Sequence, residues 1–238
     1  MRFDERASDY ERHAGPQAGV VARFADFLPD ATPGLSTLEL GSGTGLLTRK
    51  LLGKGYAVQA TDSAPGMIAR GGANVPGARW ELLDARFPPK ESADRIFSAN
   101  LLQWIPDPVE TLVRHRRALR PGGRIAHALF IEPTLGELRQ VLPEAAPLVW
   151  HDGAFWLSAA ETAGFRILRH EELRLRPTYS GALALLREIH GTGAVSGKAM
   201  PNPGRLRTAI REYDRRFATP DGGVHAGWTA LIFEAGPA

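Results

Sequence analysis

Three glycines within five residues, Gly41, Gly43 and Gly45, stand between two apolar runs, and that spacing constrains the fold more than any other feature of the chain. Thr37-Leu38-Glu39-Leu40 reads as a strand, and Leu46 to Leu52 as a helix stopped by Gly53 and Gly55. Glycines at a strand-to-helix turn let a ligand approach the backbone at the positive end of the helix. The next strand, Tyr56 to Asp62, ends on an acid 21 residues after Gly41, where a carboxylate accepts hydrogen bonds from ribose hydroxyls. A pyrophosphate-binding G-x-G-x-x-G would need a glycine at position 46, which is Leu46. The dinucleotide reading therefore fails at its third glycine.

The same alternation runs on. A helix begins at Pro65 to Arg70, and strands are expected over 79–83, 95–100 and 124–130. Between the last two, Val109 to Leu119 reads as a helix closed by Pro121-Gly122-Gly123. Strands alternating with helices imply a parallel sheet covered on both faces, so the fold class is a doubly wound, Rossmann-like α/β domain. Residues 1–28 read as helix, broken at Gly15-Pro16. After Ile131 come helices over 135–142 and 158–163, then a strand over 164–176. Helices over 180–190 and 203–217 bracket a Gly-rich loop, 191–204, before a last strand at 225–234. The expected organisation is one domain over 1–238. It comprises an N-terminal helical part (1–28), a ligand-binding core (29–130), a C-terminal part (131–224) with a helical insertion at about 178–218, and a last strand (225–236).

Composition removes several function classes. The chain has no cysteine, so disulfides, thiolate metal sites and cysteine nucleophiles are excluded. Its seven histidines show no ligand spacing with nearby acids, and no metal is expected. No apolar run reaches the roughly 18 residues of a membrane span, and Met1 to Glu5 is charged, so a cytoplasmic protein is expected. A net charge of +3 is too small to argue for nucleic acid. Of the 29 basic residues, only Lys50, Lys54, Lys90 and Lys198 are not arginine, a surplus that coding bias alone would explain.

An acid followed by Gly-x-Gly-x-Gly, here Glu39-Leu40-Gly41-Ser42-Gly43-Thr44-Gly45, resembles the first motif of the class I S-adenosylmethionine-dependent methyltransferases. Leu83-Asp84-Ala85 is similar to that family's adenine-contacting turn, Asn100 closes the fourth strand, and Leu119-Arg120-Pro121-Gly122-Gly123 resembles its later Pro-Gly-Gly turn. The resemblance implies a mostly parallel seven-stranded sheet, and S-adenosylmethionine as methyl donor with S-adenosylhomocysteine as product. It further implies cofactor contacts from Glu39, Gly41, Ser42, Gly43, Gly45, Asp62, Ser63, Met67, Asp84, Ala85 and Asn100, with His13 and Gln17 from the N-terminal helix.

Phe3 to Ala14 with Gln17, Ser98 to Trp104, Thr134 to Leu138 and Leu186 to Ala194 resemble segments of the BioC family, the malonyl-acyl-carrier-protein O-methyltransferases of biotin synthesis. Ser42, where many members have cysteine, and His190 and Thr192 depart from its pattern. The resemblance implies a malonyl thioester substrate, on acyl carrier protein or coenzyme A, methylated at its free carboxylate. A carboxylate of pKa near 4 is ionised at pH 7 and needs no general base, only a cation and donors that orient it. Arg187, in the insertion, is the expected cation, and Tyr10 the expected donor from a face shared with His13 and Gln17. Gln103, Trp104 and His190 are expected to line the substrate pocket. Arg114, Arg116, Arg117 and Arg120 cluster on one helix, either a solvated face or a docking surface for an acidic carrier protein. A methyltransferase for another small carboxylic acid, or for a quinone-like or phenolic molecule, and a silent cofactor-binding subunit are the alternatives.

Overall fold

The computed structural model describes residues 15–145, 150–191 and 202–238. Seven strands form one sheet in the order β3-β2-β1-β4-β5-β9-β6. These are β1 (Ser36–Leu40), β2 (Ala57–Asp62), β3 (Arg79–Leu82), β4 (Ala93–Ala99), β5 (Leu119–Ile131), β6 (Phe165–Leu175) and β9 (Trp228–Pro237). The first five pair in parallel, and β9 runs antiparallel between β5 and β6. Chain order turns back at β1, with β2 and β3 on one side and β4 and β5 on the other. That reversal opens a crevice at the carboxyl ends of β1 and β4.

Helices cover both faces, as a parallel sheet requires. They are α1 (Gly15–Phe27), α2 (Leu46–Gly53), α3 (Pro65–Asn74), α4 (Pro108–Ala118), α5 (Gly136–Val141), α6 (Gly153–Thr162), α7 (Ala182–Gly191) and α8 (Pro203–Arg216). Along β5, Ala126, Ala128 and Phe130 join the core that includes Phe24, Leu51 and Phe97. Their neighbours Ile125, Leu129 and Ile131 join the opposite core, with Leu40, Leu112 and Trp156. Period-two alternation thus feeds two cores from one strand.

Several boundaries differ from the sequence expectation for local reasons. α1 is described from Gly15 onward, with Gly15 and Pro16 in helical conformation. The expected helix before Gly15 and most of the Gly-rich loop lie outside the described residues. α6 starts five residues earlier than the pattern suggests, because the Asp152 carboxylate caps it by accepting the Phe155 N–H at 2.8 Å. Pro121-Gly122-Gly123 is a bulge in β5, looped out between the pairs Ala93–Leu119 and Arg95–Arg124. The stretch between β6 and β9 holds α7 and α8, as expected of the insertion. It also holds a two-stranded ribbon, β7 (Thr178–Tyr179) with β8 (Val224–His225), too short to leave a periodic signal. Among the described residues, no helix is long and apolar enough to cross a membrane, and no group of three potential metal ligands occurs.

Candidate active site

The turn from β1 into α2 is fixed from behind by hydrogen bonds to Thr61 of β2. The Ser42 N–H donates to Thr61 O at 2.8 Å, and the Thr61 hydroxyl donates to Glu39 O at 2.7 Å. Gly45 begins α2 at φ +95°, and a Cβ there would lie 2.7 Å from Val75 Cγ2. Gly43, at φ +56°, is different, because a Cβ there would meet nothing within 4 Å. Its missing side chain leaves open space on the ligand side of the turn. The Asp62 carboxylate spans the gap, accepting the Gly43 N–H at 3.0 Å and the Ala64 N–H at 2.9 Å.

Glu39 lies fully buried beneath this turn. Burial pushes its carboxyl up to about 7, while the Thr48 and Ser42 hydroxyls pull it back down. After β3, the Asp84 carboxylate accepts the Arg86 backbone N–H at 2.9 Å and its guanidinium at 2.6 Å, which holds Asp84 below the usual carboxylate range. The turn is pinned from inside by His115, whose Nε2 lies 2.8 Å from Ala85 O. Burial lowers the His115 imidazole to about 4, so the ring is neutral and donates from Nε2. At the end of β4, Asn100 adopts φ +57° and its amide donates to Gln17 O at 3.4 Å, tying α1 to the crevice.

These pieces line one cleft of about 620 Å³. It runs from the residues after β3 to the first residue of β9, five strand steps or roughly 24 Å at about 4.8 Å each. The end near α2 is polar, with Gly41, Gly43, Asp62, Asp84 and Arg86. The other end is apolar, walled by Phe130, Trp150, Ile189 and Trp228, with Phe130 5.1 Å from Trp228 and 6.1 Å from Trp150 between ring centroids. Buried polar atoms without a partner among the described residues stand in both parts: Gln17 Oε1, Asn100 Oδ1, Gln103 Oε1 and Trp150 Nε1. Such atoms are expensive unless a ligand satisfies them.

Of the residues expected from sequence, Gln17, Gly41, Gly43, Asp62, Ser63 and Met67 line the cleft, as do Asp84, Ala85, Asn100, Gln103 and Trp104. Glu39, Ser42 and Gly45 frame the turn from beneath and do not face the cleft. Tyr10 and His13 lie outside the described residues. Arg187 and His190 are exposed, and neither is among the described residues that line the cleft. On α7, Leu183, Leu186 and Ile189 stand at helical spacing and suggest one apolar face, whereas the buried face is Ala182, Leu185 and Ile189. That rotation turns Arg187, two residues or roughly 200° from Ile189, towards solvent. The aromatic end was missed. Phe130 follows the carboxyl-edge rule on β5, but Trp228 opens an antiparallel strand, so its place required the strand's direction. Trp150 carries no sequence signal.

A doubly wound sheet with an acid-backed glycine turn at its switch point, followed by carboxylates at the ends of β2 and β3, defines a class I methyltransferase. Residues 38–127 match the family model described as a methyltransferase domain. A putative methyltransferase from Bacillus halodurans shares the fold at a TM-score of 0.66 and 15% identity, over 90% of this chain and 97% of that one. The biotin biosynthesis bifunctional protein BioCD of Bordetella avium is 33% identical over 91% of this chain, which spans 49% of that longer protein. The malonyl-[acyl-carrier protein] O-methyltransferase of Hahella chejuensis is 30% identical over 90% of this chain and 81% of its own length. The chain belongs to that O-methyltransferase family.

Proposed function

We propose that the protein uses S-adenosylmethionine to methylate the free carboxylate of a malonyl thioester, on acyl carrier protein or coenzyme A, in early biotin synthesis. The observation that carries this reading is one cleft with a polar, acceptor-rich and carboxylate-bearing end and an aromatic end. When bound, the cofactor supplies a methyl group on a positively charged sulfur. The residues present fit it: the open space at Gly43 admits a ligand against the backbone, and the orphaned oxygens of Gln17 and Asn100 suit its cationic and N–H-bearing parts. Asp62 and Asp84 would accept from its hydroxyl and amino groups, each already held in place by backbone N–H donors.

At the other end, the chain's task is to orient an ionised carboxylate and exclude water. Phe130, Trp150 and Trp228 supply apolar walls, and the unpartnered Trp150 indole N–H is a donor for the oxygens. Among the described residues, the titratable side chains lining the cleft are Asp62, Asp84 and Arg86, all at the cofactor end. Phenol or carbon methylation would call for a base near the acceptor, whereas a carboxylate is already ionised. The test is an assay of purified protein with labelled S-adenosylmethionine against malonyl carrier protein, malonyl-coenzyme A and free malonate. Transfer to a malonyl thioester is expected, and transfer to none of the three would overturn the reading.

A further inference from the structure

The net positive charge of the chain is not spread over it. Residues 178–218 hold seven Lys and Arg against three Asp and Glu, while the rest of the chain holds 22 against 23. The insertion therefore carries more than the whole surplus, in a segment whose Ile189 walls the aromatic end of the cleft.

Within it, α8 is sharply two-sided. Ala209 and Tyr213 are buried, and Leu206 and Ile210 pack against the same core. Asp214 accepts the Ala182 N–H at 2.7 Å, and the Tyr213 hydroxyl donates to His225 O at 2.9 Å, so the helix is fixed against α7 and β8. On the opposite side, Arg207, Arg211 and Arg215 follow one another at four-residue spacing and are all exposed. That spacing lines them up on one face over about 12 Å. The arginines flanking this row have acidic partners, Arg205 with Glu144 and Arg216 with Glu212. The three in the row have no ion pair among the described residues; the Arg207 guanidinium donates only to Pro203 O at 3.2 Å. By contrast, the expected arginine cluster is divided and partly used up: Arg114 on α4 pairs with Glu110, and Arg120, which lies on β5, pairs with Asp94.

We propose that the Arg207–Arg211–Arg215 face of α8 docks an acidic protein partner, the carrier protein that delivers the acyl thioester. This rests on the malonyl-thioester reading. An unpaired cationic row costs self-repulsion and gives nothing to the fold, but it steers and holds an anionic helix surface. α8 packs on α7, whose Ile189 walls the aromatic end of the cleft that would receive the tethered acyl group.

The test uses the full chain with Arg207, Arg211 and Arg215 all changed to Glu, and a second variant with all three changed to Gln should the first fold poorly. Methyl transfer is measured to malonyl carrier protein and to malonyl-N-acetylcysteamine, a small thioester with neither protein nor phosphate. The expected result is a KM for the carrier substrate raised about tenfold or more, with kcat and the KM for the small thioester unchanged. The wild-type carrier KM should also climb steeply with salt, and that of the variant should not. Equal losses on both substrates, or no change on the carrier, would overturn the proposal. If neither thioester is methylated, the function reading itself falls, and fluorescence anisotropy of labelled carrier protein decides the surface. Binding by the wild type that the variants lose sustains it, and no binding by the wild type removes it.

Discussion

The Asp62 carboxylate holds the backbone N–H of Gly43 at 3.0 Å while its other oxygen holds that of Ala64 at 2.9 Å. One acid at the end of β2 thus sets the shape of the glycine turn and also faces the cleft. Asp62→Asn keeps one acceptor and replaces the other with an N–H that confronts a backbone N–H. Affinity for S-adenosylhomocysteine, measured by titration calorimetry, should fall at least about tenfold, the cost of one charge-assisted bond. Unchanged affinity would mean that the acid serves the turn alone.

Gly43 and Gly45 should fail in different ways. A methyl at Gly43 meets no protein atom, so Gly43→Ala should cost only the roughly 1–2 kcal/mol of a left-handed alanine while projecting into the cleft. A methyl at Gly45 collides with Val75 Cγ2 at 2.7 Å and strains a φ of +95°, further from the left-handed well than that of Gly43. Thermal unfolding and cofactor titration separate the two. Gly43→Ala should lose binding with a small drop in Tm, and Gly45→Ala should lose more Tm than Gly43→Ala.

The polar half of this site was legible in the sequence because backbone geometry writes it. Glycines at a strand-to-helix turn and acids at strand ends occupy fixed offsets in the chain, and Gly41, Gly43, Asp62 and Asp84 all line the cleft. The doubly wound parallel part of the sheet followed from alternation for the same reason, while its seven strands were implied by the resemblance to the methyltransferases. The aromatic half was not legible, since Phe130, Trp150, Ile189 and Trp228 come from four distant segments and meet only through tertiary packing. Arg187 shows the limit most clearly. A short helix with apolar residues at 182, 183, 185, 186 and 189 admits two apolar faces, and its tertiary packing, against α8 and β7 among others, decides between them.

Glu39 should make the protein less stable as pH rises. Its folded carboxyl sits at about 7, above an ordinary value of 4.5, so the folded state holds the proton more tightly. Its contribution is fully present below about pH 4.5 and is lost as pH rises through 7, on the order of 3 kcal/mol in all. Glu39→Gln removes that loss. Urea unfolding at pH 8 should find the variant more stable than the wild type, with the gap closing by pH 5; a pH-independent difference would show that ionised Glu39 is accommodated.

His115 pulls the other way. Its folded imidazole sits at about 4, below the ordinary 6.5, because it is buried beside His127, which burial and the neighbouring ring also hold low. The unfolded chain therefore binds the extra proton between these values, and stability is complete above 6.5 and lost as pH falls through 4. The two slopes oppose each other between pH 4.5 and 6.5, so the wild type can look flat where both are steep. The Glu39→Gln background exposes the histidine: its unfolding free energy should fall from pH 7 to pH 4.5. Adding His115→Phe should reduce that fall and cost about 1–3 kcal/mol at every pH, because Ala85 O loses its donor. Since Ala85 and Asp84 share one turn, cofactor affinity at pH 7 should weaken in the double variant while the Glu39→Gln parent keeps it. An undiminished acid slope in the double variant would move the titrating group elsewhere.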